Sequence, residues 1–180
     1  SSLRRKAQLL ARRPDLDIRD LRGNVDTRLR KLDEGQYDAV ILAAAGLTRL
    51  GHADRIKETL PSDVCLPAVG QGALAIECRA DDTEVRELLA FLNHRDTCLC
   101  TSAERAFLGL VEGGCQVPIG VHAEVTGGTV HLDAIIASLD GQRILRDSLD
   151  CPAEDAVRGG QELGVRMLDH GGRDILKEIL

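Results

Sequence analysis

The sequence contains few aromatic side chains: it has no Trp, one Tyr and two Phe among 180 residues. Proteins that bind single-stranded nucleic acid stack the bases on aromatic rings, so this shortage disfavours that class. The sequence also lacks a long uncharged apolar run, and a helix that crosses a bilayer needs about 20 such residues. We therefore expect neither a nucleic acid nor a membrane as a partner.

No two of the six cysteines have the CxxC spacing of a zinc knuckle. They stand at positions 65, 78, 98, 100, 115 and 151, and no metal site is predicted from them. The first six residues, SSLRRK, lack the apolar core of a secretion signal, which predicts reduced thiols and a cytoplasmic location. An initiating Met is also missing, so we expect a piece of a longer protein.

Positive charge is concentrated in the first third of the chain. Residues 1–60 contain 13 Lys and Arg against 9 Asp and Glu, although the whole chain has a net charge of −6. Ten of these 13 are Arg, whose planar guanidinium matches carboxylate and phosphate groups. A basic segment in an acidic protein favours a small anionic ligand over a nucleic acid. The alternative is that many of these arginines are solvated on helix faces.

The first 66 residues alternate between helix and strand patterns. The spacing predicts a helix over 1–13 capped by Ser1 or Ser2, a strand over 16–19, a helix from Asn24 to Gly35 and a buried strand over 38–45. Such alternation is typical of an α/β layer with a parallel sheet. Ligands bind at the strand ends of open α/β sheets, and five arginines stand at or near helix starts or strand ends: Arg4, Arg5, Arg22, Arg28 and Arg49.

The rest of the chain predicts an α+β arrangement. A crossing segment punctuated by proline and glycine leads into a strand over 73–78, and Gln71 within it is either a polar ligand contact or a linker residue. Helices follow over 81–92 and 96–110. Glycine turns separate three strands, which predicts an antiparallel sheet over 117–125, 129–139 and 143–149. Helices are predicted over 154–168 and 173–180.

One cysteine stands in an unusual setting, the sequence EGGCQVPIG at 112–120. Gly113 and Gly114 allow backbone angles that are closed to other residues, and no helix continues easily through Pro118. Cys115 is therefore predicted on a tight loop after the helix over 96–110. A purely structural cysteine is more common inside an apolar run, so Cys115 is a candidate functional thiol, although a single cysteine is a weak signal.

Five stretches together resemble the porphobilinogen deaminase family, also called hydroxymethylbilane synthase. They are SSLRR at 1–5, LRGNVDTRLRKLD at 21–33, YDAVILAAAGLTRLG at 37–51, LPAVGQGALAIECR at 66–79 and AERAFLGLVEGGCQVPIG at 103–120. They occur in the family's order and span nearly the whole chain. The glycine-cysteine loop and the arginine-rich block are the parts most specific to the family.

The resemblance implies a transferase of tetrapyrrole and haem biosynthesis. Such an enzyme joins four porphobilinogen units, with loss of ammonia, into hydroxymethylbilane. The resemblance also implies a dipyrromethane cofactor held as a thioether on Cys115. Side chains that match the family's motifs would bind carboxylates of the cofactor or the substrate: Ser2, Arg4, Arg5, Arg22, Arg28, Arg49 and Gln71.

The family's domain organisation is implied in the same way. Residues 1–66 would form the arginine-rich second domain, a binding-protein-like lobe with a parallel sheet. Residues 67–93 would be a crossing strand and helix that belong with an N-terminal lobe, and 94–180 would be the α+β domain that carries the cysteine. The family's catalytic Asp lies in the N-terminal lobe, upstream of Ser1. No catalytic residue is therefore assigned, and we expect these 180 residues alone to be inactive.

Three other interpretations compete with this one. A non-catalytic anion-binding module of the periplasmic-binding-protein type explains the arginine-rich half but not the EGGCQVPIG loop. A nucleic-acid-binding domain needs one contiguous basic face and stacking groups, which are scarce here. A metal protein would need a shared centre for four cysteines that are scattered in the sequence: Cys65, Cys78, Cys98 and Cys151.

Overall fold

A computed structural model describes residues 1–111 and 117–179 of the chain. The helices are α1 (Leu3–Arg12), α2 (Val25–Asp33), α3 (Ala44–Arg49), α4 (Thr83–Leu89), α5 (Arg95–Leu110), α6 (Ala156–Met167) and α7 (Arg173–Lys177). The strands are β1 (Ile119–Thr126), β2 (Thr129–Ala137) and β3 (Ile144–Pro152). Among the described residues, no helix is both long enough and apolar enough to cross a membrane.

The first two helices begin at the side chains that the sequence predicts as caps. The Ser2 hydroxyl accepts a hydrogen bond from the Arg5 main-chain N–H at 3.4 Å, and Asn24 Oδ1 accepts one from the Thr27 N–H at 2.9 Å. These bonds satisfy N–H groups that have no partner inside the helix. Gly35, with φ of +72°, follows the end of α2, and both predicted helices are confirmed.

The parallel sheet predicted for the first 66 residues is not confirmed. Residues 16–19, 38–43 and 73–78 contain no strand, and α3 begins at Ala44, where the second strand was expected to continue. A strand is stabilised by main-chain hydrogen bonds to a neighbour. Segments 16–19 and 37–41 instead line the same cavity, and no main-chain hydrogen bond joins them. The expected buried strand is also partly exposed, with Ile41 at 37%.

The predicted antiparallel sheet is confirmed, with strand order β1-β2-β3. Ile119 pairs with Ile136 in the first ladder, and Thr129 pairs with Pro152 in the second. Both connections contain glycines with positive φ, at Gly127, Gly128 and Gly141. Tight hairpins favour such residues because their turns need left-handed backbone angles.

Helices α5 and α6 pack together and cover one face of this sheet. Phe107 of α5, Leu163 and Met167 of α6, and Leu132 and Ile136 of β2 are fully buried in the shared core. Burying one such side chain contributes about 1.5–3 kcal/mol. The two helices approach closely at Gly160, because a Cβ there would lie 2.1 Å from the Ala103 carbonyl oxygen. The core thus fixes α5, the helix that precedes the Cys115 segment.

Helix α1 is held against the sheet at two places. A Cβ at Gly141, in the β2–β3 turn, would lie 2.3 Å from the Ala7 carbonyl oxygen, so the turn touches the helix backbone. Arg146 of β3 donates to the Asp63 carbonyl at 2.8 Å, and Arg12 at the end of α1 donates to the same carbonyl at 2.7 Å. The arginine-rich N-terminal helix is therefore anchored to the C-terminal half of the molecule.

Candidate functional site

The first cavity, of about 670 Å³, lies where the N-terminal helices meet the sheet. Three of the predicted site residues line it, namely Arg4 and Arg5 of α1 and Gln71 of the crossing segment. His122 and Glu124 of β1 line it as well. The cavity thus combines cationic groups, carboxylates and hydrogen-bonding groups from parts of the chain that are distant in sequence.

Arg4 is a buried arginine, with only 9% of its surface exposed. Its Nη1 donates to the Leu66 carbonyl, and its Nη2 donates to Gln71 Oε1 at 3.1 Å. Burial lowers the pKa of the Arg4 guanidinium below its ordinary value, but an arginine still carries its charge in the physiological range. A buried charge is costly unless an opposite charge lies beside it, so this position favours an anionic ligand.

The second cavity, of about 860 Å³, adjoins the first. Ser2, Arg5, Arg22 and Arg28 line it, and residues 38–41 and Arg5 belong to the walls of both cavities. The Arg5 Nη1 donates to the Ile41 carbonyl at 2.8 Å, and the Arg28 Nε donates to the Gly23 carbonyl at 2.8 Å. Both bonds orient a guanidinium without neutralising its charge.

Ion pairing separates the ten arginines of residues 1–60 into two groups. Within the described residues, five form ion pairs with carboxylates: Arg12, Arg13, Arg19, Arg30 and Arg55. None of the other five has a described carboxylate within ion-pair distance, and these are the predicted site residues Arg4, Arg5, Arg22, Arg28 and Arg49. Four of these five line the two adjoining cavities.

Two predicted residues are not placed in the cavities by the structure. Arg49, the last residue of α3, is exposed and lines neither of the two cavities. Cys115 lies outside the described residues, which resume at Val117 after Val111. No group of three or more potential metal ligands is present in the described part of the chain, so nothing there supports the metal interpretation.

The sequence did not single out Glu104, which is 5% exposed on α5. Its Oε2 accepts a hydrogen bond from the Gly70 N–H at 2.6 Å, and its Oε1 accepts one from the Ala123 N–H at 3.0 Å. Burial raises the pKa of the Glu104 carboxyl above its ordinary value, while these two hydrogen bonds and nearby His122 oppose the rise. One sequence signal indicated that Glu104 faces the core: it stands three and seven residues before Phe107 and Val111, which is the spacing of one helix face.

The residues around the cavities suit a ligand with several carboxylates. Permanently charged guanidiniums bind carboxylates through paired hydrogen bonds, and the Ser2 hydroxyl and the Gln71 amide add neutral contacts. Among these groups Arg4 is buried and has no described carboxylate partner, although its guanidinium hydrogen-bonds to the Leu66 carbonyl and to Gln71.

Two family models match the chain. Residues 1–87 match the dipyrromethane cofactor-binding domain of porphobilinogen deaminase, and residues 98–169 match the C-terminal domain of the same enzyme. The first match contains all the cavity-lining arginines, and the two matches follow one another in the order of a single family. The chain therefore belongs to the porphobilinogen deaminase family of tetrapyrrole biosynthesis, whose cofactor is dipyrromethane.

Proposed function

We propose that the chain binds the carboxylates of the cofactor and substrate in a hydroxymethylbilane synthase. That enzyme joins four porphobilinogen units, with loss of ammonia, into hydroxymethylbilane. The observation that carries the proposal is a set of four cavity-lining arginines without a described carboxylate partner, namely Arg4, Arg5, Arg22 and Arg28. Two further arginines line the cavities, Arg19 and Arg55, and each of them pairs with an aspartate.

Several fixed cations are needed because each porphobilinogen ring carries an acetate and a propionate. A chain of such rings brings many negative charges into one place, which is costly without nearby cations. Arginine retains its charge and offers two parallel N–H groups to one carboxylate. Cavities of about 670 and 860 Å³ are of the size that takes small molecules.

The predicted contacts divide between the two cavities. Arg4, Arg5 and Gln71 bind carboxylates in the first cavity, while Ser2, Arg22 and Arg28 do so in the second. Arg5 touches both, so it serves a ligand that extends from one cavity to the other. Arg49 lines neither cavity, and it is proposed to bind those carboxylates of the ligand that lie outside both.

The family's cofactor enters this proposal through Cys115. The bound dipyrromethane supplies the primer to which the substrate units are added. Cys115, in the segment that follows α5, would hold it through a thioether. The arginines orient the carboxylates and compensate their charge. A covalent tether keeps the primer in place and thereby removes the entropic cost of bringing it back for each addition.

The apolar surface of residues 74–92 is proposed to contact the N-terminal lobe of the same enzyme. Five large apolar side chains are exposed there by 50–81%: Leu74, Ile76, Leu88, Phe91 and Leu92. Large apolar side chains exposed in this way favour a protein contact when they form one patch. The family's catalytic Asp is proposed to act from that lobe. The domain boundaries at 66 and 93, and the cytoplasmic location, stay predictions.

A non-catalytic anion-binding module was the alternative. No specific observation favours it, because both matched family models belong to the enzyme.

Binding of porphobilinogen, measured by isothermal titration calorimetry, tests the proposed site. Arg28→Leu removes a cavity-lining charge from α2. Arg30→Leu is the matched control, because Arg30 lies on the same helix, is exposed and pairs with Glu34 at 3.8 Å. A hydrogen bond to a charged group contributes about 1.5–3 kcal/mol. We expect Arg28→Leu to weaken binding at least about tenfold and Arg30→Leu to leave it within about twofold.

Equal affinities for the unchanged chain and the Arg28→Leu variant would contradict the proposal. Failure of the unchanged chain to bind porphobilinogen would contradict it too. Circular dichroism and the unfolding midpoint of both variants check that the overall fold is retained, so that a loss of affinity is assigned to the missing charge.

A further inference from the structure

Glu104 is a buried carboxylate that the proposed chemistry does not use. It lies on α5 next to Ala103 and one turn before Phe107, both of which are fully buried. Its two oxygens accept main-chain N–H bonds from two different parts of the chain, Gly70 in the crossing segment and Ala123 in β1. The side chain therefore joins a helix, a strand and a loop.

The loop that Glu104 holds is the one that carries Gln71. Gly70 has φ of +67°, and the Gln71 N–H donates to the Ala68 carbonyl at 3.0 Å, so residues 68–71 form a tight turn. Gln71 Oε1 accepts from the Ala68 N–H at 3.1 Å and from Arg4 Nη2 at 3.1 Å. The Glu104 bond to Gly70 is thus one residue away from the side chain that holds Arg4.

We propose that Glu104 is a positioning residue, which fixes the Gly70–Gln71 turn so that Gln71 holds the Arg4 guanidinium toward the first cavity. This inference rests on the proposed function, because it takes Arg4 as a carboxylate-binding group. Through these contacts α5, the helix that precedes the Cys115 segment, would influence the position of Arg4 on α1. Glu104 accepts a hydrogen bond from the Gly70 N–H, and the side-chain oxygen of the next residue, Gln71, accepts one from Arg4.

The chemistry of the contact requires a carboxylate at position 104. Both groups that face the side chain are N–H donors, and a carboxylate offers an acceptor oxygen to each. The amide of glutamine has only one oxygen, so its NH₂ group would face either the Gly70 or the Ala123 N–H. Glu104→Gln therefore breaks one bond with little change in volume, and Glu104→Asp keeps the charge but shortens the reach.

A double-mutant cycle tests the inference. Porphobilinogen affinity is measured by calorimetry on the full chain carrying Glu104→Gln, Gln71→Ala or both changes. We expect Glu104→Gln to weaken binding about fivefold, the loss typical of one hydrogen bond. Since Glu104 acts through Gln71, the double variant should bind no more weakly than Gln71→Ala alone. Glu104→Asp repeats the test if the Gln variant does not fold.

A stability control separates positioning from simple destabilisation. Leu163→Ala removes a fully buried side chain of α6, which should lower the unfolding midpoint while leaving porphobilinogen affinity unchanged. The inference is overturned if Glu104→Gln and Glu104→Asp bind normally. It is also overturned if the effects of the Glu104 and Gln71 changes add, or if Leu163→Ala weakens binding as much. Arg28→Leu reports on the proposed function separately, because normal porphobilinogen binding by that variant would contradict the proposed binding site itself.

Discussion

At the scale of single residues, the absence of ion pairs is more informative than the number of arginines. On the surface, Arg13 Nη2 lies 2.6 Å from Asp15 Oδ2, and this pairing lowers the Asp15 pKa to about 2. Arg4 has no such carboxylate in the described part of the chain, although it is far more buried. Exposed pairs contribute little to stability, whereas a buried cation without an anion is costly. The proposed anionic ligand would offset this cost.

The pH dependence of stability tests the environment of Glu104. Its raised pKa means that the folded chain keeps the proton at pH values where the unfolded chain has released it. The free energy of unfolding therefore falls as the pH rises through the window between the unfolded and folded pKa values. Glutamine cannot titrate, so we expect Glu104→Gln to lose this fall. Urea titrations from about pH 4 to neutrality measure the difference.

Other groups near Glu104 must be separated from it in that experiment. His122 faces it from β1, and Arg105 and Cys100 lie beside it on α5. Glu124→Gln is a suitable control, because Glu124 is exposed and pairs with the same histidine at 3.0 Å. Unchanged pH dependence in Glu104→Gln, or the same change in both variants, would show that burial of Glu104 is not its source.

At the scale of elements, local patterns predicted the helices and the hairpins well. Caps such as Asn24 and glycine turns such as Gly127-Gly128 act over a few residues, so the sequence contains the whole signal. The parallel strands predicted at 16–19 and 38–45 are not confirmed. A strand also needs a neighbouring strand to pair with, and an apolar run in the sequence does not show which segment that is. Glu104 escaped notice for the same reason, since its partners Gly70 and Ala123 are distant in sequence.

The contact between α1 and the β2–β3 turn supports a prediction at this scale. Gly141→Ala would place a Cβ 2.3 Å from the Ala7 carbonyl oxygen and would strain a residue with φ of +71°. Gly127→Ala is the matched control, because it has φ of +58° and no atom within 4 Å of its Cβ position. We expect Gly141→Ala to lower the free energy of unfolding by about 1–3 kcal/mol more than the control.

Chemical denaturation of the two variants measures this difference. The strain of a positive φ is common to both, so the excess in Gly141→Ala reports the contact with α1 alone. Equal losses of stability would mean that α1 and the turn can separate freely. The arginines at the start of α1 would then have no fixed position relative to the sheet.

At the scale of the whole molecule, the site depends on contacts between distant parts of the chain. The first cavity takes its walls from α1, from residues 38–44 and 55–60, from the crossing segment and from β1. Arg12 and Arg146 meet at the Asp63 carbonyl and help to hold these parts together. Sequence alone indicated the arginines and Gln71 through a family resemblance, but it could not show that all of them except Arg49 line two adjoining cavities.

The central claim is that arginine-lined cavities serve a polycarboxylate held on Cys115. The most direct test is the intact mass of the denatured chain, isolated from the cells that produce it, followed by peptide mapping. When the chain is produced together with the N-terminal lobe, we predict a covalent increment equal to two pyrrole units on the peptide that contains Cys115, and its loss in Cys115→Ser. A bare chain, or an adduct on another cysteine, would contradict the account.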